Sequence, residues 1–345
     1  MKHRNATAIR PIVLMSAVSI VVAILSTPSA GVADELPGSG IVVTAADDSL
    51  IEGRFQTEVV NVGLERLGYE IGPIVNMNVP SMYVAVAQGD ADFLAVGWQP
   101  QNTTVYEKAG GDAEMTQIGT IVVGAAQGFQ IDLATAEKLG ITNIAQLADP
   151  ELAAIFDSDG DGKANLAGCP PGWGCETVIE NHLDVLDLRD MISHDQGDFV
   201  PIHADVVARY KAGDPVLFYT YVPMWLSQIL VPGTDVVWLE TPDVPLPYDT
   251  SNRTAVTQLP DGRNLGFEIQ DIKIVANNEF LAANPAAGRF LSLVNIPLQD
   301  INAENLLIYE GEDEMEDVRR HAEAWVAANQ EQFDSWIDDA MSAAQ

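Results

Sequence analysis

The sequence predicts an α/β protein of two hinged lobes with a ligand cleft between them. Three observations carry that prediction. Short β-branched runs alternate with amphipathic helical stretches, the pattern of helices layered on a sheet. Two of the strands run out at an aromatic residue, Trp98 and Tyr221, and ligands of open α/β sheets collect at such carboxyl ends. A late strand-like run, Ile269 to Val275, follows a long irregular excursion, so the chain leaves one lobe and later returns to it.

The elements follow in order. Residues 1–33 read as an export signal: Lys2, Arg4 and Arg10 precede an apolar run from Ile12 to Leu25, and small residues lead to Gly31-Val32-Ala33. That run is short for a bilayer span, and no later stretch reaches the roughly 20 apolar residues needed. No cysteine stands near the cleavage point to take a lipid anchor. The expected location is the periplasm.

The first lobe is assigned to residues 34–132 and 271–345. Its first strand is Ile41 to Thr44. A helix follows from Ser49, with Phe55, Val59, Val62 and Leu67 on one side and Gly68 to end it. Ile74 to Val79 is a short strand, and Ser81 to Gln88 a helix closed by Gly89. Ala91 to Val96 is the next strand, with Trp98 just beyond its end. Ile121 to Ile131 is a long extended run, and the crossing to the second lobe falls near Asp132.

The second lobe, 133–270, repeats the theme. Helical patterns occupy Ala134 to Leu139, Ile144 to Phe156, a segment after Cys175, and Ala204 to Tyr210. Val216 to Thr220 is a buried strand ending at Tyr221, and Val236 to Leu239 is another. Thr241 to Asn264 is rich in Pro, Asp and Thr and reads as irregular. Everything after the return strand is helical.

Composition narrows the function classes. Fifty acidic against 17 basic residues give a formal net charge of −33. Nucleic acid is excluded, because binding a polyanion requires clustered Lys and Arg. The acids are spread along the whole chain, which favours a solvated surface suited to salty surroundings over a field that steers ligand. The 47% hydrophobic content supplies two cores. A monomer is expected, with no cofactor.

The most informative stretch is Cys169-Pro-Pro-Gly-Trp-Gly-Cys175. It holds the only two cysteines, and an oxidising compartment favours a disulfide between them. Closing so short a loop stabilises by roughly 2 kcal/mol on the chain-entropy model. Its larger effect is to hold Trp173 and the neighbouring amides ready for a ligand. The competing assignment makes Cys175 a nucleophile with His182, His194 or His203 as its base, which a disulfide would disable.

Trp98, Trp173 and Tyr221 together can form an aromatic box. Quaternary ammonium offers no hydrogen-bond donor, so ring faces recognise it where ordinary polar sites fail; each desolvated contact is worth up to about 2 kcal/mol. Core packing is the bland alternative for each ring alone, and it is the assignment for Trp225, Trp238, Trp325 and Trp336. An anionic end would find the N–H groups of Gly174 and Cys175 where a helix begins. Asn102, one turn after Trp98, adds either a neutral donor or a helix cap. Asp157-Ser-Asp159-Gly-Asp161-Gly162 matches the first half of a calcium loop, but Gly168 stands where the twelfth-position acid belongs.

Several stretches together resemble the periplasmic glycine betaine/proline betaine-binding proteins of osmoprotectant ABC importers. They are Glu35-Leu-Pro-Gly38, Asp92-Phe-Leu-Ala-Val-Gly-Trp98, Ala125-Ala-Gln-Gly128 and Ile141-Thr-Asn-Ile-Ala-Gln-Leu147. Asp161-Gly-Lys-Ala164, Pro171-Gly-Trp-Gly-Cys-Glu176 and Asp235-Val-Val-Trp-Leu239 continue the series. The resemblance covers nearly the whole mature chain. It implies the two-lobed substrate-binding protein fold of type II, closing on ligand in the interlobe cleft, with a membrane permease and its ATPase as partners. It implies a box of three tryptophans, two falling on Trp98 and Trp173 and the third on Tyr221, with carboxylate-holding amides at Gly174 and Cys175. A histidine that assists those amides in the family is Asn102 here. Choline or a sulfonium osmolyte is the alternative ligand.

Overall fold

The computed structural model describes Met1 and residues 35–48, 50–247 and 257–344. The export signal predicted at 1–33 lies, after Met1, outside the described residues, as do Ser49 and the middle of the predicted excursion.

A nine-stranded sheet organises the chain. Its strands are β1 (Ala45–Asp47), β2 (Val75–Asn76), β3 (Phe93–Gln99), β4 (Met115–Asp132), β5 (Ala164–Ala167), β6 (Ile192–Asp195), β7 (Leu217–Val222), β8 (Val236–Trp238) and β9 (Gln270–Asn277). The order is β2-β1-β3-β9-β4-β7-β5-β6, with β8 also on β4. Parallel pairs lie at the two flanks, β2-β1-β3 on one and β7-β5-β6 on the other. A separate parallel ribbon joins Val42–Val43 to Glu70–Ile71.

The 18-residue strand β4 belongs to both halves. Its first part pairs antiparallel with β9, from Met115↔Asn277 to Ala125↔Gln270. Its second part pairs with β7, from Ala126↔Val222 to Ile131↔Leu217, and with β8. The hydrophobic interior divides at the same place. Val43, Phe55, Ile121, Ala125, Ile272 and the C-terminal helices share one core; Phe129, Ile131, Phe156, Ile179, Phe218 and Phe267 share another. Trp98 packs against both. Side-chain contacts also join the halves: Trp225 stacks on Tyr309 with centroids 4.3 Å apart, and the Met224 N–H donates to Asn302 Oδ1 at 3.2 Å.

Two predictions need correction. Trp98 lies inside β3 rather than past its end, because the antiparallel partner β9 extends the strand through Ile272↔Trp98 and Asp271↔Gln99. The helix expected at Ile144 to Phe156 is a 3-10 turn (Ile144–Ala148), a single α-turn (Pro150–Ala153) and a second 3-10 turn (Ala154–Phe156). Pro150 disfavours the helical conformation of the residue before it, and Asp149 is accordingly extended at φ −77°, ψ 118°. Asp149 then caps the new turn by accepting the Glu151 N–H.

Candidate functional site

Trp98, Asn102, Trp173, Gly174 and Tyr221 line one cavity of about 460 Å³, partly open to solvent. Each ring arrives on a different element: Trp98 on β3, Tyr221 on β7, and Trp173 as the residue that opens the helix Gly174–Val185.

The rings form adjoining walls. Trp98 meets Tyr221 edge-on, with centroids 5.2 Å apart and planes at 79°, and Trp173 lies 6.4 Å from Tyr221 at 57°. Phe199 supports two of them from behind, stacked on Trp173 at 5.5 Å and tilted against Tyr221 at 5.3 Å. Nothing in the sequence distinguishes Phe199 from an ordinary core residue. Tyr221 is 7% exposed. Burial, with smaller contributions from the charges of Glu52 and Asp48, pushes its hydroxyl well above the ordinary range, so it stays protonated.

The disulfide Cys169–Cys175 closes the loop that carries Trp173, so neither sulfur is a free thiol. Pro170 O accepts the Trp173 N–H at 3.3 Å, and Glu176 Oε2 accepts the Gly172 N–H at 2.6 Å. His194 anchors the loop from outside: its Nε2 accepts the Cys169 N–H at 3.0 Å, while its Nδ1 faces Glu180 Oε1 at 2.6 Å. With Nε2 accepting, the ring proton sits on Nδ1. The other two histidines proposed as bases lie elsewhere. His182 packs between Phe129 and Phe267, and His203 sets its ring nitrogens against the carbonyls of Phe199 and Tyr219.

The amides of Gly174 and Cys175 open their helix, where backbone donors have no intrahelical acceptor. Gly174 lines the cavity; the Cys175 side chain is fully buried away from solvent. A side chain at 174 would meet Gln101 Cγ at 2.3 Å, so glycine permits this close approach between loop and strand end. Asn102 occupies the N-cap position of the helix Thr103–Lys108, yet its side chain makes no capping bond. It is buried against the cavity and its side chain reaches the Tyr83 hydroxyl.

Four polar lining residues escaped the sequence: Asp48, Gln101, Gln127 and Tyr219. Gln127 Oε1 accepts the Tyr219 hydroxyl at 2.5 Å, and its buried Nε2 has no partner among the described residues. Gln127 lines the cavity, with that donor itself closed off from solvent. Gln101 is held by its own N–H, which donates to Gln270 Oε1 at 2.9 Å. Both depend on pairings between distant segments, which the order of residues does not announce.

The aspartates of the calcium-like loop do converge, with carboxylate oxygens of Asp157, Asp159 and Asp161 within 4.8 Å of one another. Those oxygens are already used by the loop's own amides, Gly160 and Gly162 donating to Asp157 and Lys163 to Asp161.

Comparison with known proteins adds to this geometry. A family model described as the substrate-binding domain of ABC-type glycine betaine transport systems matches residues 41–328. The glycine betaine-binding periplasmic protein OusX of Dickeya dadantii (strain 3937) is 45% identical over 313 residues, covering 91% of this chain and 94% of that protein. The glycine betaine/proline betaine-binding periplasmic protein of Escherichia coli (strain K12) is 43% identical over 311 residues, covering 90% and 93%. The fold matches an ABC-transporter choline-binding protein in complex with choline, at a TM-score of 0.66 and 19% identity, over 88% of this chain and 96% of that one. It also matches lactococcal OpuAC in its closed form with glycine betaine, at a TM-score of 0.63 and 17% identity, over 86% and 99%. Among the described residues no helix is long and apolar enough to cross a membrane. A two-lobed α/β scaffold and a family match over most of the sequence agree, and the chain belongs to the family of substrate-binding domains of ABC-type glycine betaine transport systems.

Proposed function

We propose that this chain captures glycine betaine, or a related betaine, in the periplasm and delivers it to a membrane permease driven by an ATPase. The role is capture and release, with no bond made or broken. Trp98, Trp173 and Tyr221 are the walls that receive the trimethylammonium group. The amides of Gly174 and Cys175, with Asn102 nearby, receive the carboxylate.

The observation that carries this assignment is the meeting of three rings from three separate elements beside the first-turn amides of a helix. Ring faces attract a permanently methylated cation without needing its hydrogen bonds. A helix N-terminus favours an anion. A zwitterion with its charges a few ångströms apart satisfies both at once.

The lobes we assign are 34–132 with 271–345, and 133–270, after loss of the signal at 1–33. The hydrophobic interior divides within β4 between Ala125 and Phe129, a few residues before the boundary assigned at 132; this supports two bodies able to close on ligand and favours a crossing earlier in that strand. Glycine betaine titrated calorimetrically into Trp98→Ala and Trp173→Ala should bind more than about tenfold more weakly than into the parent, since each lost ring contact is worth up to about 2 kcal/mol. Both side chains are only partly buried, so melting temperatures should stay close to the parent. Unchanged affinity in both variants would remove the box.

A further inference from the structure

The loop that carries Trp173 is held from outside the cavity by a relay of charged side chains. β5 and β6 pair in parallel through Ala167↔Asp195, and the Gly168 N–H extends the ladder by donating to Asp195 O at 3.0 Å. That register sets the His194 ring directly against the start of the loop. A Cβ at residue 168 would lie 2.0 Å from His194 Cδ2 and 2.1 Å from Nε2, so only glycine leaves room for the ring. The His194 side chain is 4% exposed.

The polar atoms of the relay are matched in sequence. His194 Nε2 accepts the Cys169 N–H at 3.0 Å, and its Nδ1–H donates to Glu180 Oε1 at 2.6 Å. Glu180 Oε2 lies 2.6 Å from Arg189 Nη1, and Arg189 also pairs with Asp184. Burial acts to raise Glu180, but hydrogen bonds from His194 and Arg189 outweigh it and hold the carboxyl below its usual range. An ionised Glu180 keeps the imidazole proton on Nδ1 and leaves the Nε2 lone pair for the loop. Gln196 Nε2, 3.2 Å from the same Nδ1, donates instead to Glu176 Oε1 at 3.3 Å.

Two side-chain acceptors thus grip the loop, one on each side of Pro170-Pro171: His194 at Cys169, and Glu176 Oε2 at the Gly172 N–H, 2.6 Å away. Of the two, only His194 loses its acceptor when it takes up a proton. A doubly protonated ring would set N–H against N–H at Cys169, and a backbone donor without an acceptor disfavours that packing. The charges around the ring are mixed. Glu176 and Glu180 face it from the helix Gly174–Val185, Arg189 and Asp190 from the turn beyond, Lys163 from the segment before β5, and Asp195 from its own strand.

We propose that His194 is a positioning residue for ligand capture: through the Cys169 N–H it holds the disulfide loop so that Trp173 and Gly174 stand ready at the cavity, and a second proton on its ring releases that hold. His194 itself does not line the cavity. A loop ordered in advance spares the ligand the cost of ordering it. The inference rests on the ring-lined cavity being the betaine site.

Calorimetry with glycine betaine on the mature chain tests it at pH 8 and pH 5, the range in which a histidine ring changes charge. The variants are His194→Gln, which keeps an acceptor oxygen but does not titrate, and His194→Phe, which fills the space without an acceptor. At pH 8 His194→Gln should bind within about twofold of the parent, and His194→Phe about fivefold more weakly. The affinity lost between pH 8 and pH 5 should be at least threefold greater in the parent than in either variant. Asp48 and Glu52, beside the rings, titrate in all three chains and drop out of that comparison. Equal pH profiles in the parent and His194→Gln overturn the inference, as does full affinity at pH 8 in a folded His194→Phe. If His194→Phe does not fold, the parent and His194→Gln decide it between them. Either result leaves the betaine site standing, whereas a parent that fails to bind glycine betaine at pH 8 removes the site and the inference together.

Discussion

His182 shows how much one side chain can contribute in an interior of this kind. Its ring is 1% exposed and lies between Phe129 and Phe267, with centroids 5.8 and 5.1 Å away. Burial lowers its pKa to about 4 from the ordinary 6.5, against a weaker opposing contact with the Gly266 backbone. The fold therefore accepts the neutral ring and rejects the charged one. Its contribution is complete above pH 6.5 and is lost as pH falls from 6.5 through 4, where the unfolded chain takes up the proton and the folded chain does not. The difference amounts to roughly 3 kcal/mol across the window. Denaturant melts of the parent and of His182→Phe, at pH 7 and pH 4.5, should show the stability gap between them shifting by most of that amount. A gap that stays constant with pH would mean the ring is protonated equally in both states.

At the scale of elements, the disulfide loop is where sequence and structure agree most closely. The two cysteines, the glycines and Trp173 were legible because the whole device lies within seven consecutive residues. Its strut from His194 was not, since that contact crosses from β6. The same division holds for the rest of the site. Trp98, Tyr221 and Asn102 stand out as residues at or near strand ends, and the structure brings them to the cavity. Gln127 and Asp48 carry no local signal. Gln127 faces the cavity because β4 pairs with β7 in a particular register, Gln127↔Tyr221, and register is set by long-range packing. Trp98 was misplaced by a residue or two for a related reason, since only the partner strand determines where β3 stops. The loop itself makes a prediction. Replacing both cysteines with serine should cost roughly 2 kcal/mol of stability on the chain-entropy model. It should also weaken glycine betaine binding several-fold, because Trp173 and the Gly174 amide must then be ordered at the ligand's expense. Thermal melts and calorimetry on the same double variant separate the two effects; full affinity with reduced stability would show that the loop is held by His194 and Glu176 alone.

For the whole molecule, charge is the dominant unsatisfied term. The chain carries 50 acidic and 17 basic residues. The arginines already serve more than one acid each where they can: Arg319 meets Glu65 at 2.6 Å, Glu323 at 2.8 Å and Glu58 at 3.4 Å, and Arg320 meets Glu312 and Asp317. Exposed pairs of this kind contribute at most about 1 kcal/mol each. They leave most carboxylates without a counter-charge, and the folded state brings those carboxylates closer together than the unfolded chain does. Self-repulsion of that sort destabilises a compact state. Salt should relieve it, because the screening length falls from about 10 Å at 0.1 M to about 3 Å at 1 M. Melting temperature should therefore rise by several degrees as sodium chloride is raised over that range at neutral pH. Glycine betaine is net neutral, so its affinity should change by less than about twofold over the same series. A melting temperature that falls or stays flat would mean the acids are spaced widely enough for water alone to screen them, and that the surface is adapted to something other than salt.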